Sequence, residues 1–200
     1  MKKIINKKGG LALIFLALLS GACNRDKDAT PPPPAFLITQ SESLVIPASI
    51  DFPANPGGHT RVATFYAEGV QKYVAKEKPG TNPVSYEWSF VAPQADLYDI
   101  TNSKVGSHTA GPSWQLSSSD SIFAQAFTPA KTAPSPDPGS IPWLLLKPKE
   151  GKIATGLFAN VDYIQRIATI GGVAPASAPA GPGETKEVKY TAIYRFTKKN

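Results

Sequence analysis

"KEVKYTAIYRFTKK", residues 186–199, is the stretch on which the fold class turns. Val188, Tyr190, Ala192, Tyr194 and Phe196 alternate with Lys189, Thr191, Ile193, Arg195 and Thr197. Successive side chains of a strand point to opposite faces, so one face here is mainly apolar and the other mostly polar. The same period runs through "GLFANVDYIQRIATI" (156–170), where Leu157, Ala159, Val161, Tyr163 and Ile167 share a face. "YEWSFVA" (86–92) puts Tyr86, Trp88 and Phe90 on one side. Further strand candidates are 62–67, 69–76, 121–127 and 141–147. In the last, Ile141 to Leu146 is almost continuously apolar, and Pro142 belongs at its start or at an edge because it cannot donate to the ladder. Two longer loops, 131–140 and 171–184, are rich in Pro, Gly, Ser and Ala. No stretch carries a sustained helical period, and there is no internal repeat. The expected fold is all-β: an antiparallel β-sandwich or barrel-like domain.

The N-terminus reads differently. Four lysines precede a short apolar run, Leu11 to Leu19, which is shorter than the roughly 20 residues a spanning helix needs. Basic, apolar and then small residues are the parts of an export signal. "LLSGAC" (18–23) resembles a bacterial lipobox, in which the cysteine is acylated and becomes the new N-terminus. The alternative is ordinary signal cleavage beside an incidental cysteine. Residues 24–35, with four consecutive prolines, suit an extended tether. The expected organisation is a lipoprotein signal peptide over 1–22, lipidated Cys23 and a Pro-rich tether over 23–35, and a single β domain over 36–200. Pro and Gly make up 36 of 200 residues, below the roughly 25–30% that signals low-complexity disorder. The expected location is the bacterial cell envelope, periplasmic or surface-exposed, with the membrane reached through the lipid on Cys23.

Export would remove most of the positive charge. The whole chain has 21 basic and 15 acidic residues, net +6; without Lys2, Lys3, Lys7 and Lys8 it has 17 basic residues and net +2. No clustered basic surface remains to argue for nucleic acid. Cys23 is the only cysteine, so its acylation would leave no thiol for a disulfide, a nucleophile or a thiolate metal site.

Six blocks in order carry a resemblance: "GVQKY" (69–73), "WSFVAPQADLYD" (88–99), "VGSHTAGPSWQ" (105–115), "IPWLLLK" (141–147), "YIQRIATIGGVAP" (163–175) and "YTAIYRF" (190–196). Over roughly residues 40–197 the chain resembles the domain of unknown function numbered 3455, found in exported bacterial and fungal secreted proteins. The resemblance implies no established activity. Some fungal relatives carry a malate dehydrogenase label, but no GxGxxG turn between a strand and a helix is present here. It also implies a cysteine after the first block and another after the Gly-Gly-x-x-Pro block, as disulfide partners. Ala75 stands at the first position and the loop after Pro175 has no cysteine, so this chain lacks that staple, worth about 2–4 kcal/mol.

The candidate ligand-binding residues are His108, Trp114, Gln165 and Arg166. His108 sits among Gly106, Gly111 and Pro112 and reads as a polar pin in a loop, as a ligand contact, or as a catalytic base. A metal site on His59 and His108 lacks ligand spacing such as HxxxH. Neither GxSxG nor SxxK occurs to mark a serine hydrolase. Trp88, Trp114 and Trp143 read as core, with sugar stacking the alternative. Gln165 and Arg166 are strand neighbours and should face opposite ways, Gln165 beside Tyr163 and Ile167, Arg166 beside Asp162. Asp96, Asp99 and Glu87 are the acids weighed for a glycosidase pair. No cofactor is expected. The leading reading is a membrane-anchored, non-enzymatic binding module, for a glycan or another envelope component; the alternative is an envelope hydrolase using His108.

Overall fold

The computed structural model describes residues 31–200. The expected signal segment, Cys23 and the tether up to residue 30 lie outside the described residues. A helix α1 (Pro34–Ser41) and a 3-10 turn (Ala48–Ile50) precede eight strands: β1 (His59–Glu77), β2 (Tyr86–Tyr98), β3 (Lys104–Thr109), β4 (Ser113–Ser117), β5 (Asp120–Ala133), β6 (Trp143–Pro148), β7 (Tyr163–Gly171) and β8 (Thr185–Lys199). Each strand pairs antiparallel with the next, and β8 pairs back on β1, so the sheet is a closed barrel. Closure leaves no free sheet edge. The β1–β8 seam runs from His59↔Lys199 to Val74↔Thr185.

The alternation of residues 186–199 is the alternation of barrel inside and outside. Tyr190, Ala192, Tyr194 and Phe196 face inward with Phe65, Ala67, Leu97, Trp114, Ile122 and Ile164. Small residues stand beside large ones, as a narrow barrel requires. Gly69 is one of the tightest cases: a Cβ there would lie 2.1 Å from the Gln94 carbonyl oxygen of β2. Pro93 lies inside β2 beside the bulge at Lys72/Tyr73, where the ladder is already interrupted. At one end of the interior, Phe158 from a second 3-10 turn (Gly156–Phe158) packs on Phe65 and Phe196.

The polar face of β8 is covered too. Ile193, Arg195 and Thr197 are buried. A second apolar cluster lies outside the barrel, where Ile38 and Ile50 of the N-terminal strap cover Tyr66, Trp143, Leu145, Tyr163, Ile167 and Ile193. Polar contacts fix the strap. Arg195 donates to the Ser41 carbonyl and ion-pairs with Glu42, and Ser49 Oγ donates to the Thr132 carbonyl. The helix begins at Pro34, inside the stretch expected to be tether, with Pro in its first turn.

Four local expectations need correction. Residues 105–115 are not a loop but the hairpin β3–β4, with His108 paired to Trp114. Residues 156–162 are a 3-10 turn and a connection rather than the start of a strand, so Leu157 is exposed and Val161 faces the interior cluster while Tyr163 does not. The loop expected from residue 131 starts after Ala133, because β5 continues that far. Trp88 is not core: it is partly exposed, and its Nε1 donates to the Ser177 carbonyl at 2.9 Å.

Ile50 is fully buried and its carbonyl accepts from Gln165. Ile50→Ala is expected to cost about 2–5 kcal/mol in a denaturant melt of the 32–200 chain. A loss under about 1 kcal/mol would mean the strap is not part of the fold.

Candidate functional site

The barrel interior is packed with aromatic and aliphatic side chains at one end and holds a pocket elsewhere. Near β3, β4 and β7 the walls enclose a pocket of about 390 Å³. Its deep wall is formed by Gln71, His108, Trp114 and Tyr194, all at most 2% exposed. Leu144, Leu146 and Pro93 add apolar surface. Phe90 and Val91, more than half exposed, form the outer rim. Arg166 reaches the same pocket from β7.

His108 is held by three contacts. Its ring stacks on Trp114 with centroids 4.4 Å apart and planes 11° from parallel. Tyr194 lies 4.8 Å away at a steep tilt. Nδ1 meets the Ser113 carbonyl at 2.8 Å. A carbonyl only accepts, so Nδ1 carries the proton and Nε2 keeps its lone pair. Burial pushes the pKa down from 6.5 to about 4, and the positive charge of Arg166 adds to the shift against the Ser113 hydrogen bond. His108 is therefore a neutral imidazole at physiological pH.

Among the described residues Arg166 is the only charged group of the wall. Its Nε and Nη2 donate to the Pro142 carbonyl at 3.2 and 2.8 Å. It does not pair with Asp162, which instead accepts from the Lys199 amide. Among the described residues it takes part in no ion pair. Its charge is felt by Tyr73, His108, Tyr190 and Tyr194. Burial raises the Tyr194 hydroxyl well above its ordinary pKa, and Arg166 only partly offsets that. Gln71 Nε2, Trp114 Nε1, Tyr190 Oη and Tyr194 Oη are buried without a hydrogen-bond partner of good geometry.

Three of the four sequence candidates thus meet in one pocket: His108, Trp114 and Arg166. Gln165 does not join them. It faces the outer cluster beside Tyr163 and Ile167, and its Nε2 donates to the Ile50 carbonyl at 2.9 Å. Gln71 and Tyr194 join the pocket without being candidates on the sequence. Gln71 carried a legible signal, a polar residue two positions from both Gly69 and Tyr73 on an inward face. The sequence pattern puts Tyr194 on the apolar face, and only the closed barrel sets its hydroxyl near Arg166.

The remaining candidates lie elsewhere. His59 packs against Phe52 and Tyr163, away from His108. Among the described residues no three His, Cys, Asp or Glu side chains cluster as metal ligands. Asp96 ion-pairs with Lys104, and Asp99 accepts from Thr101 and Ser103 in the following turn. Trp143 is buried under the strap.

Residues 56–198 match the family described as Protein of unknown function (DUF3455). The chain belongs to the DUF3455 family. No curated protein and no solved structure matches it. The matched span begins after the strap, so the segment covering the outer cluster precedes the DUF3455 region. In this DUF3455 chain Ala75 pairs with Trp88, whose Nε1 donates to the Ser177 carbonyl, so the loop after Pro175 reaches the end of the barrel where Ala75 sits.

The depressed pKa of His108 sets a pH dependence. Unfolding restores a group that binds protons at 6.5, so the unfolded chain takes up the extra proton between pH 6.5 and about 4. The stabilisation is full above 6.5 and is lost as pH falls. Relative to His108→Phe, the native protein should lose on the order of 3 kcal/mol over that range. Denaturant melts at stepped pH measure this; parallel profiles for the two proteins would contradict it.

Proposed function

We propose that this protein is a non-enzymatic binding module, anchored to a bacterial envelope membrane through lipid on Cys23, that takes a small organic molecule into the pocket of its barrel. The observation that carries the binding part is the pocket itself. Eight-stranded barrels are just wide enough to be filled by side chains or to hold one small ligand. Here an aromatic core occupies one end, and about 390 Å³ remain at the other, within the range of small-molecule sites.

The wall chemistry favours binding over turnover. Among the described residues no Ser, Thr, Cys, Asp, Glu or Lys lines the pocket. In a hydrolytic triad the imidazole Nδ1 faces a carboxylate and Nε2 faces the nucleophile. Here Nδ1 faces a neutral carbonyl, and a pKa near 4 makes His108 a weak base. A sugar platform on Trp114 is also disfavoured, because that ring is fully buried and stacked on His108. The envelope part rests on the sequence: basic residues, a short apolar run, and a single cysteine after Ser20, Gly21 and Ala22.

Two experiments test the reading. Cys23→Ala should move the protein from the membrane fraction to the soluble one and abolish lipid labelling; unchanged labelling would refute the anchor. For the pocket, a library of neutral and charged organic fragments should raise the melting temperature of the native domain but not of Leu144→Trp, whose added ring fills the pocket. Equal responses in both would place binding elsewhere. An ester, glycoside or peptide hydrolysis lost in His108→Ala would overturn the non-enzymatic reading.

A further inference from the structure

We infer that the pocket selects a small organic monocarboxylate, with the carboxylate on the Arg166 side and an apolar body toward Phe90 and Val91. The inference rests on the binding reading above and specifies its ligand.

The charge argument comes first. Arg166 is half-buried, its well-formed hydrogen bonds go to one neutral carbonyl with the Tyr194 hydroxyl beside it, and no carboxylate pairs with it among the described residues. The two bonds to Pro142 use Nε and one nitrogen of the fork, which fixes the group's direction and leaves N–H donors over. A guanidinium facing a largely apolar cavity without an anion is left with only part of its Coulombic partnership. One cation calls for one negative charge. The neighbouring groups match an oxyanion in kind as well. Gln71 Nε2, Trp114 Nε1 and Tyr194 Oη lie in the deep wall without a hydrogen bond of good geometry, Gln71, Tyr190, Tyr194 and Arg166 standing close to one another, and a carboxylate presents only acceptors.

The shape and polarity of the rest decide the body. Beyond Arg166 and the buried donors, the wall is carbon: Leu144, Leu146, Pro93, Phe90 and Val91. Exposed Phe90 and Val91 at the rim lose water when an alkyl or aryl group enters. Inorganic phosphate or sulfate would leave this surface wet. A uronic acid would bring hydroxyls to a wall with few partners for them.

The test uses the mature chain, residues 23–200, with Cys23→Ala so that no attached lipid competes. Calorimetry at pH 7 compares hexanoate with hexanamide and benzoate with benzamide, with glucuronate, inorganic phosphate and sulfate as further arms. Each acid should bind roughly tenfold or more tightly than its amide, the ratio expected for a charge-assisted hydrogen bond. Arg166→Gln should bring acid and amide to the same affinity. If that variant does not fold, the acid-to-amide ratio on the unmutated pocket still decides. Equal binding of acid and amide would overturn the inference while leaving the binding module standing. Glucuronate, phosphate or sulfate binding as tightly as hexanoate would overturn the apolar half. If the fragment library gives pocket ligands but none of the four acids and amides binds at millimolar concentration, the inference fails alone. If the library gives none, the binding reading fails with it.

Discussion

The pairing of β1 with β8 is the constraint on which everything else rests. Both are long strands, 19 and 15 residues, and their register runs nearly the whole length of β8. Closing the sheet sends alternate residues of β8 inward, so β8 must supply side chains that fill a narrow tube. Tyr190, Ala192, Tyr194 and Phe196 do so. Closure also fixes what faces what: Phe65 stands opposite Tyr194, and Arg166 stands between Leu144 and Tyr194 on the neighbouring strands. A shift of one residue along this seam would put Arg195 and Thr197 inside and the aromatic rings out.

The interior that closure creates is divided by polarity. The end sealed by Phe158 and Phe196 is apolar and aromatic. The other end carries His108, Gln71, Tyr194 and Arg166 on a background of Leu and Trp. The imidazole is neutral there because burial and the nearby guanidinium both oppose its protonation. Its Nδ1–H serves to hold the Ser113 carbonyl at the hairpin, and its face serves as a stacking partner for Trp114. The histidine therefore stiffens the wall, while the single positive charge of the pocket belongs to Arg166.

Much of this was legible from period two alone. The inward face of 186–199, the all-β class and the opposite orientations of Gln165 and Arg166 follow from alternation. The hairpin at 105–115 was not legible, because Gly106, Gly111, Pro112 and several serines are what loops are made of. There, small residues let strands approach: a Cβ on Gly106 would lie 2.3 Å from the Gln115 carbonyl oxygen. The outer cluster was hidden for a different reason. Arg195 and Thr197 made that face of β8 look solvated, yet Arg195 is buried under the strap through Ser41 and Glu42. The strap gives little signal of its own, since "PAFLITQS" opens with Pro and lacks a clear apolar stripe. The pocket could not be read at all, since it gathers residues from β1, β2, β3, β4, β5, β6, β7 and β8.

The central claim is that the working surface of this protein is inside the barrel. Chemical-shift mapping of the 15N-labelled chain over residues 31–200 with hexanoate tests it most directly. The account predicts that the indole N–H signal of Trp114 and the Nε–H signal of Arg166 move together and saturably, while those of Trp88 and Trp143 stay in place. Shifts confined to exposed positions such as Ile100 and Trp88, with Trp114 and Arg166 unmoved, would contradict it.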